Sequence, residues 1–426
     1  MKKFLYPEKT KWQTLLERPS IEKPNLDAVV QEVFSAVQKD GDSAVSQYTE
    51  KFQGFSGNME VSPEEIASSR KELSEELISS IQLAADNISR FHALQVDEGM
   101  CLETMPGVEC WRKSKPIQKV GLYIPGGTAP LFSTVLMLGI PAKLAGCEEI
   151  ILCSPCDKDG KLHPAILFAA DLVGVTKIFK VGGIQAIAAL TFGTESIPAV
   201  YKIFGPGNQY VTAAKQYAQQ FRVAIDMPAG PSEVMVVADD SAYPSFVAAD
   251  LLSQAEHGTD SQVVLLTDSE LFADLVIDEV AMQLEELPRK ELASEALENS
   301  RILLVEGSNF SELINVYAPE HLILATAIND ELIEKVINAG SVFIGNFTPE
   351  SAGDYASGTN HTLPTNGYAR QYSGVSLDSF VKKITYQKIS EEGLRNLGPA
   401  IERMAEAEEL MAHKNAVSIR LKNTTR

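Results

Sequence analysis

From about residue 117 the chain alternates short apolar strands with helical stretches, joined by glycine-rich turns. Residues 120–124, 149–153, 177–181, 201–204 and 223–226 read as strands. Helices over 132–145, 162–172 and 182–190, and one opened by Gly205-Pro-Gly-Asn208, separate them. Strand–helix units of this length, repeated, imply a parallel, doubly wound sheet. A second series follows, with strands over 233–238, 263–267, 302–305 and 341–345 and helices over 245–257, 271–286, 310–316 and 331–339. It implies a second α/β sheet, so the fold class is α/β with two parallel sheets.

The flanks are different. Residues 1–24 are polar and aperiodic and read as an N-terminal arm. Residues 25–96 are helical: Leu26, Val29, Val30, Val33, Phe34 and Val37 follow a 3.6 period. Ser62-Pro-Glu-Glu65 carries a helix start, with serine as N-cap and glutamate three residues on. The last 50 or so residues predict a long amphipathic helix over 398–421, with no strands after it to build a sheet around it. Such a helix docks on its own body or on a partner.

Charge narrows the function. Against 37 basic residues stand 57 acidic ones, a net charge of -20. That disfavours a nucleic-acid groove or an anionic membrane as partner. It leaves room for an anionic cofactor held by backbone amides at helix N-termini. No stretch approaches the roughly 18 to 20 apolar residues of a membrane span, and the N-terminus lacks the apolar run of a signal peptide. The 5 cysteines are odd in number and clustered, as free thiols in a cytoplasmic protein would be. Cys153-Ser-Pro-Cys156 has redox spacing, but without a second pair it reads more simply as structural.

Four of the 6 histidines keep polar company. Gln254 and His257 are three apart at a helix C-terminus and would project from one face. A helix-end histidine favoured by the dipole is the plain alternative. Glu320 and His321 are adjacent and follow Pro319. Asp354 and His361 share a loop rich in Gly, Ser, Thr and Asn that would build little core. His413 and Glu408 lie on the tail helix, while His92 and His163 read as packing or surface residues. Three turns, at Pro125-Gly-Gly-Thr128, Val181-Gly-Gly-Ile184 and Gly205-Pro-Gly-Asn208, could let a backbone approach a phosphate. None is the Gly-x-Gly-x-x-Gly fingerprint, and tight turns of an ordinary α/β fold explain them equally well.

Taken together, these residues carry a pattern. Val120-Gly-Leu-Tyr-Ile-Pro-Gly-Gly127, Ile184-Gln-Ala-Ile-Ala-Ala-Leu190, Phe204-Gly-Pro-Gly-Asn208 and Ala229-Gly-Pro-Ser-Glu233 come in that order. Ser253-Gln-Ala-Glu-His-Gly258, Ala318-Pro-Glu-His321, Gly353-Asp-Tyr-Ala-Ser-Gly-Thr-Asn-His361 and Ala412-His-Lys-Asn415 follow. Over nearly its whole length the chain resembles the histidinol dehydrogenases. The resemblance implies one zinc ion per subunit on Gln254, His257, Asp354 and His413, and Glu320 with His321 as the acid/base pair. It implies substrate contacts from Ser232, His361 and Glu408 as well as from His321 and the zinc ligands, with NAD held by Tyr123, Gln185 and Asn208. It further implies two incomplete Rossmann-like domains. Residues 25–118 would begin the first, continued by 232–376, and residues 119–231 would form the second, associated with NAD. The tail, 377–426, would cross to the partner in a domain-swapped homodimer and complete the partner's site. The implied reaction is the NAD-dependent, four-electron oxidation of L-histidinol to L-histidine through L-histidinal. Rival readings are a dehydrogenase of the same family acting on another alcohol, such as a sulfonated diol, a zinc hydrolase, and a non-catalytic binding module.

Overall fold

The computed structural model describes residues 1–19, 26–97, 99–126, 130–228 and 230–423. Gly127, Thr128 and Ala129 of the first glycine turn, residues 20–24 of the arm, Ala229, and residues 424–426 of the tail lie outside the described residues. The chain divides into two compact units, residues 1–94 with 117–380, and residues 95–116 with 381–426.

In the first unit, β4 (Lys119–Tyr123), β5 (Glu149–Cys153), β6 (Lys177–Phe179), β7 (Lys202–Phe204) and β8 (Ala224–Ile225) form one sheet in the order β6-β5-β4-β7-β8. All its pairings are parallel. Successive residues of a strand face opposite sides. Val120 and Leu122 accordingly enter one core cluster and Tyr123 the other, as do Ile150 and Leu152 against Ile151 and Cys153. Helices on both faces bury these strands, which is why they read as unbroken apolar runs.

The helices Leu26–Gln53, Pro63–Ser69 and Glu75–Ala93 pack onto the helices that flank this same sheet. Val30, Val33, Phe34 and Val37 pack with Ile187 and Leu190, and Ile78, Ile81 and Ile88 with Leu136 and Leu138. The packing thus attaches the helical segment to the five-stranded sheet, whereas the sequence reading joins it to the other. Helical periodicity marks a buried face without naming what covers it. The capping box at Ser62 and Glu65 forms as expected.

The second sheet of this unit contains β1 (Lys2–Leu5), β9 (Glu233–Ala238), β10 (Gln262–Thr267), β11 (Arg301–Leu304), β12 (His321–Ala325) and β13 (Ser341–Ile344). Its order is β1-β11-β10-β9-β12-β13, again parallel throughout. Without β1 this repeats the strand order of the first sheet. Two strands depart from expectation. The arm is no mere arm: Lys2–Leu5 is an edge strand, and Trp12 and Leu16 are buried in the core beside Tyr317. The apolar run after Glu320 is the central strand β12.

The second unit is an antiparallel sheet in the order β14-β3-β2, of β2 (Cys101–Met105), β3 (Val108–Pro116) and β14 (Val381–Ile389), with the helices Glu391–Ala407 and Met411–Asn423. The expected fold class, α/β with two parallel sheets, holds, and the structure adds to it a third sheet that is antiparallel. The single tail helix is likewise two helices, broken where Glu409 takes φ 61°. Gly398 lets them pack closely, since a Cβ there would lie 3.0 Å from Leu421. Among the described residues no helix is long and apolar enough to cross a membrane.

Candidate active site

Both parallel sheets reverse strand order at an inner pair, β4 with β7 and β9 with β12. Crevices of open α/β sheets form at such switch points, outside the carboxyl ends of the strands. The five-stranded sheet follows that rule. Pro125 after β4 and Gly205 to Asn208 after β7 line a cavity of about 630 Å³. The six-stranded sheet meets the same cavity with its other edge. Ser232 precedes β9, Glu320 precedes β12, and His257 follows the helix Pro244–Ala255. A helix that runs back between parallel strands ends at their amino edge, which brings Gln254 and His257 to the starts of β9 and β12.

The wall on the five-stranded side is built tightly. Gly205 has φ 118°, and a Cβ there would stand 2.0 Å from the Tyr123 carbonyl oxygen, so only glycine fits. Its N–H donates to Asp226 (2.8 Å), and its carbonyl accepts from the buried ammonium of Lys215 (2.7 Å), itself paired with Asp226 (2.5 Å). Asn208 caps the next helix, accepting from the N–H groups of Tyr210 and Val211, both at 3.1 Å. Tyr123 is buried, accepts from the Gly183 N–H (3.1 Å), and has its hydroxyl pKa pushed up to about 12 by desolvation. Gln185 is buried with no hydrogen-bond partner for its Oε1 among the described residues. A buried amide oxygen without a partner is costly; Tyr123 and Gln185 lie behind this wall and do not line the cavity itself.

On the other wall His321 opens β12 and is 3% exposed. Its Nδ1 is 3.6 Å from Glu320 Oε2, 3.4 Å from the Glu233 carbonyl and 4.0 Å from Glu350 Oε1. Its Nε2 is 3.4 Å from Asp354 Oδ1, outside hydrogen-bonding geometry, and neither atom has another partner among the described residues. Desolvation pulls the ring's pKa down. Glu320, Glu350 and Asp354 more than reverse that and hold it well above the ordinary histidine value. Glu320 itself is fixed by the Glu233 N–H, which donates to its Oε2 at 3.0 Å.

His257, Glu350 and Asp354 each bring one ligand atom to within 4.8 Å of the others, a candidate metal site. The amide of Gln254, turned so that both its atoms find partners, donates to Glu350 Oε1 and accepts from the Glu233 N–H at 2.9 Å. His361 lies in the same wall, its Nδ1 2.8 Å from the Asp354 carbonyl and its Nε2 3.0 Å from the Thr134 hydroxyl. Burial lowers its pKa.

Ser232, His257, Glu320 and His361 therefore line one side of the cavity, with Asn208 opposite, while Gln254, His321 and Asp354 lie against these residues without lining it. Glu408 and His413 belong to the second unit, exposed at the break between its helices and on Met411–Asn423. Glu350 escapes the sequence reading. Burial pushes its carboxyl up to about 8. The signal was its spacing: four residues before Asp354, it shares that residue's helical face. His92 and His163 do serve structure, contacting the Ile88 carbonyl at 2.9 Å and accepting from the Ala165 N–H. All 5 cysteines are free.

A parallel sheet in this strand order faces, across one crevice, a wall backed by a buried histidine ringed by carboxylates, the arrangement of an α/β enzyme. A family profile described as histidinol dehydrogenase matches residues 16–421. The chain belongs to the histidinol dehydrogenase family. It is 60% identical over 423 residues to the histidinol dehydrogenase of Bacteroides thetaiotaomicron, covering 99% of both chains. The Vibrio parahaemolyticus histidinol dehydrogenase is 51% identical, with 97% of this chain and 98% of that one covered. The crystal structure of histidinol dehydrogenase from Elizabethkingia anophelis superposes with a TM-score of 0.99 at 56% identity, covering 100% of this chain and 99% of that one.

Proposed function

We propose that this chain oxidises L-histidinol to L-histidine through L-histidinal, with NAD as the acceptor in both steps. Family membership over the full length supports the substrate. The observation that carries the chemistry is that Glu320, with His321 3.6 Å from it, shares one cavity with the carboxyl edge of a doubly wound sheet. The relatives' names give the sulfonated-diol reading no support.

The donors fit a zinc ion. Nitrogen and oxygen ligands suit it, and the lone Asp354 Oδ1 is what a cation would complete. Gln254, His257 and Asp354 would hold it with His413, which we assign, together with Glu408, to the partner chain of a homodimer. When bound there, zinc supplies a template that orients the substrate's amine and imidazole. Tyr123, Gln185 and Asn208 would hold NAD. Ser232, His361 and Glu408 would position the substrate. His321 would take the alcohol proton in the first oxidation. Glu320 would steer water onto the aldehyde, and His321 would take a proton from the hydrate in the second. A dication beside Asp354 would offset the negative charge that raises the ring, leaving His321 freer to act as a base. The free thiols agree with a cytoplasmic setting.

Two NADH formed per histidinol consumed by the purified protein is the expected stoichiometry. One equivalent, or none, would remove the reading. Chelation is expected to silence the enzyme while far-UV circular dichroism stays unchanged, because both parallel sheets have apolar cores of their own.

A further inference from the structure

The acid/base pair is held by a residue of the N-terminal segment that also lines the cavity. Arg18 lies just past the short helix Trp12–Leu15 and is mostly buried. Its guanidinium forks onto Glu233 through Nε and Nη2, the latter at 2.7 Å. Nη2 also donates to the Tyr317 carbonyl at 2.8 Å and reaches the Ala318 carbonyl at 3.4 Å. The group lies over the Tyr317 ring, 4.1 Å from its centroid. Tyr317 donates from its hydroxyl to Gln262 (2.9 Å), and Gln262 donates back to the carbonyl of Glu17 (3.0 Å), which closes the network.

Each group that Arg18 grips leads to the pair. Glu233 gives its N–H to Glu320 and turns its carbonyl toward His321. Ala318 has φ 54°, a left-handed conformation that strains a residue with a Cβ, and it sits two residues before Glu320. A planar, five-donor fork can hold a carboxylate and a strained turn at once, which a lysine cannot do. We propose that Arg18 is a positioning residue for Glu320 and His321, fixing Glu233 and the Tyr317–Ala318 turn so that both side chains keep their aim. The proposal rests on the reading of Glu320 and His321 as the acid/base pair.

The test uses the full chain with Arg18→Met, Arg18→Lys and, as reference, His321→Asn. For each, kcat, KM for histidinol, the solvent deuterium effect on kcat and the melting temperature are measured. Small misplacements of reacting groups cost up to about 10²-fold in rate. Arg18→Met is expected to lose about 10- to 10²-fold in kcat with KM little changed, and to show a larger solvent deuterium effect. Arg18→Lys keeps the charge but not the fork, and is expected to lie between Arg18→Met and wild type. Should Arg18→Met fail to fold, the lysine variant decides by the same measures. Wild-type kcat per folded molecule in the Arg18 variants, with His321→Asn inactive, overturns the role of Arg18 alone. Full activity in His321→Asn overturns the acid/base reading beneath it.

Discussion

Replacing His321 by asparagine is expected to slow both oxidation steps by about 10²-fold or more, the contribution typical of a positioned general base. Asparagine keeps the polarity at the start of β12 but leaves three carboxylates without their cationic neighbour, so the fold should persist at a lower melting temperature. Glu320→Gln is the companion. Its partner, the Glu233 N–H, can still donate to an amide oxygen. The variant should therefore keep its shape and lose the charge that steers water. Oxidation of histidinal, which requires hydration, should suffer more than its reduction to histidinol, which does not. Equal losses in the two directions would contradict that division of labour. Stopped-flow measurement of NADH formation and consumption from added histidinal reads both.

Two dead variants are expected to repair one another. His257→Asn removes a proposed zinc ligand from the first unit, and His413→Asn removes one from the second. Unfolded together in equal amounts and refolded, about half the dimers should be mixed by random pairing. If each tail serves its partner, half the sites in a mixed dimer carry both lesions and half carry none. About a quarter of wild-type activity should then return. If each tail serves its own chain, every site keeps one lesion and the mixture stays dead. Mass spectrometry showing mixed dimers without activity would exclude the exchange.

Both parallel sheets were legible because their strands are buried on two faces. Such strands appear as apolar runs ended by turn residues, Pro125-Gly126 after Val120 and Asp268-Ser269 after Val263. β12 was missed, although its residues 322–325 are apolar, because it follows Pro319 and a polar pair that read as a site loop. The antiparallel sheet was missed for the opposite reason: β2 and β14 are exposed on most residues, so no apolar alternation marks them. Nothing in composition announces the break at Glu409, where neither glycine nor proline stands. Within the site, the histidines stood out because the chain has only 6 and four of them keep polar company. Arg18 did not. Its partner Glu233 lies 215 residues away in sequence, and an arginine in a polar segment reads as a solvated charge.

The pairing of β1 with β11 sets an order on biosynthesis. Lys2–Leu5 leaves the ribosome roughly 300 residues before Arg301–Leu304, an interval of about 15 to 60 s at usual elongation rates. Through that interval the strand has no sheet to join. Lys2 and Lys3 are the kind of charge that discourages an unpaired strand from adding to a neighbouring nascent chain. The six-stranded sheet can close only once its most distant strand has been made. Arg18, in the same N-terminal segment as β1, then reaches a turn at Tyr317 that is itself newly synthesised. Polysomes should therefore carry nascent chains with a formed five-stranded sheet and an open six-stranded one, and the emergence of Ser341–Ile344 would mark the point from which the second sheet can close.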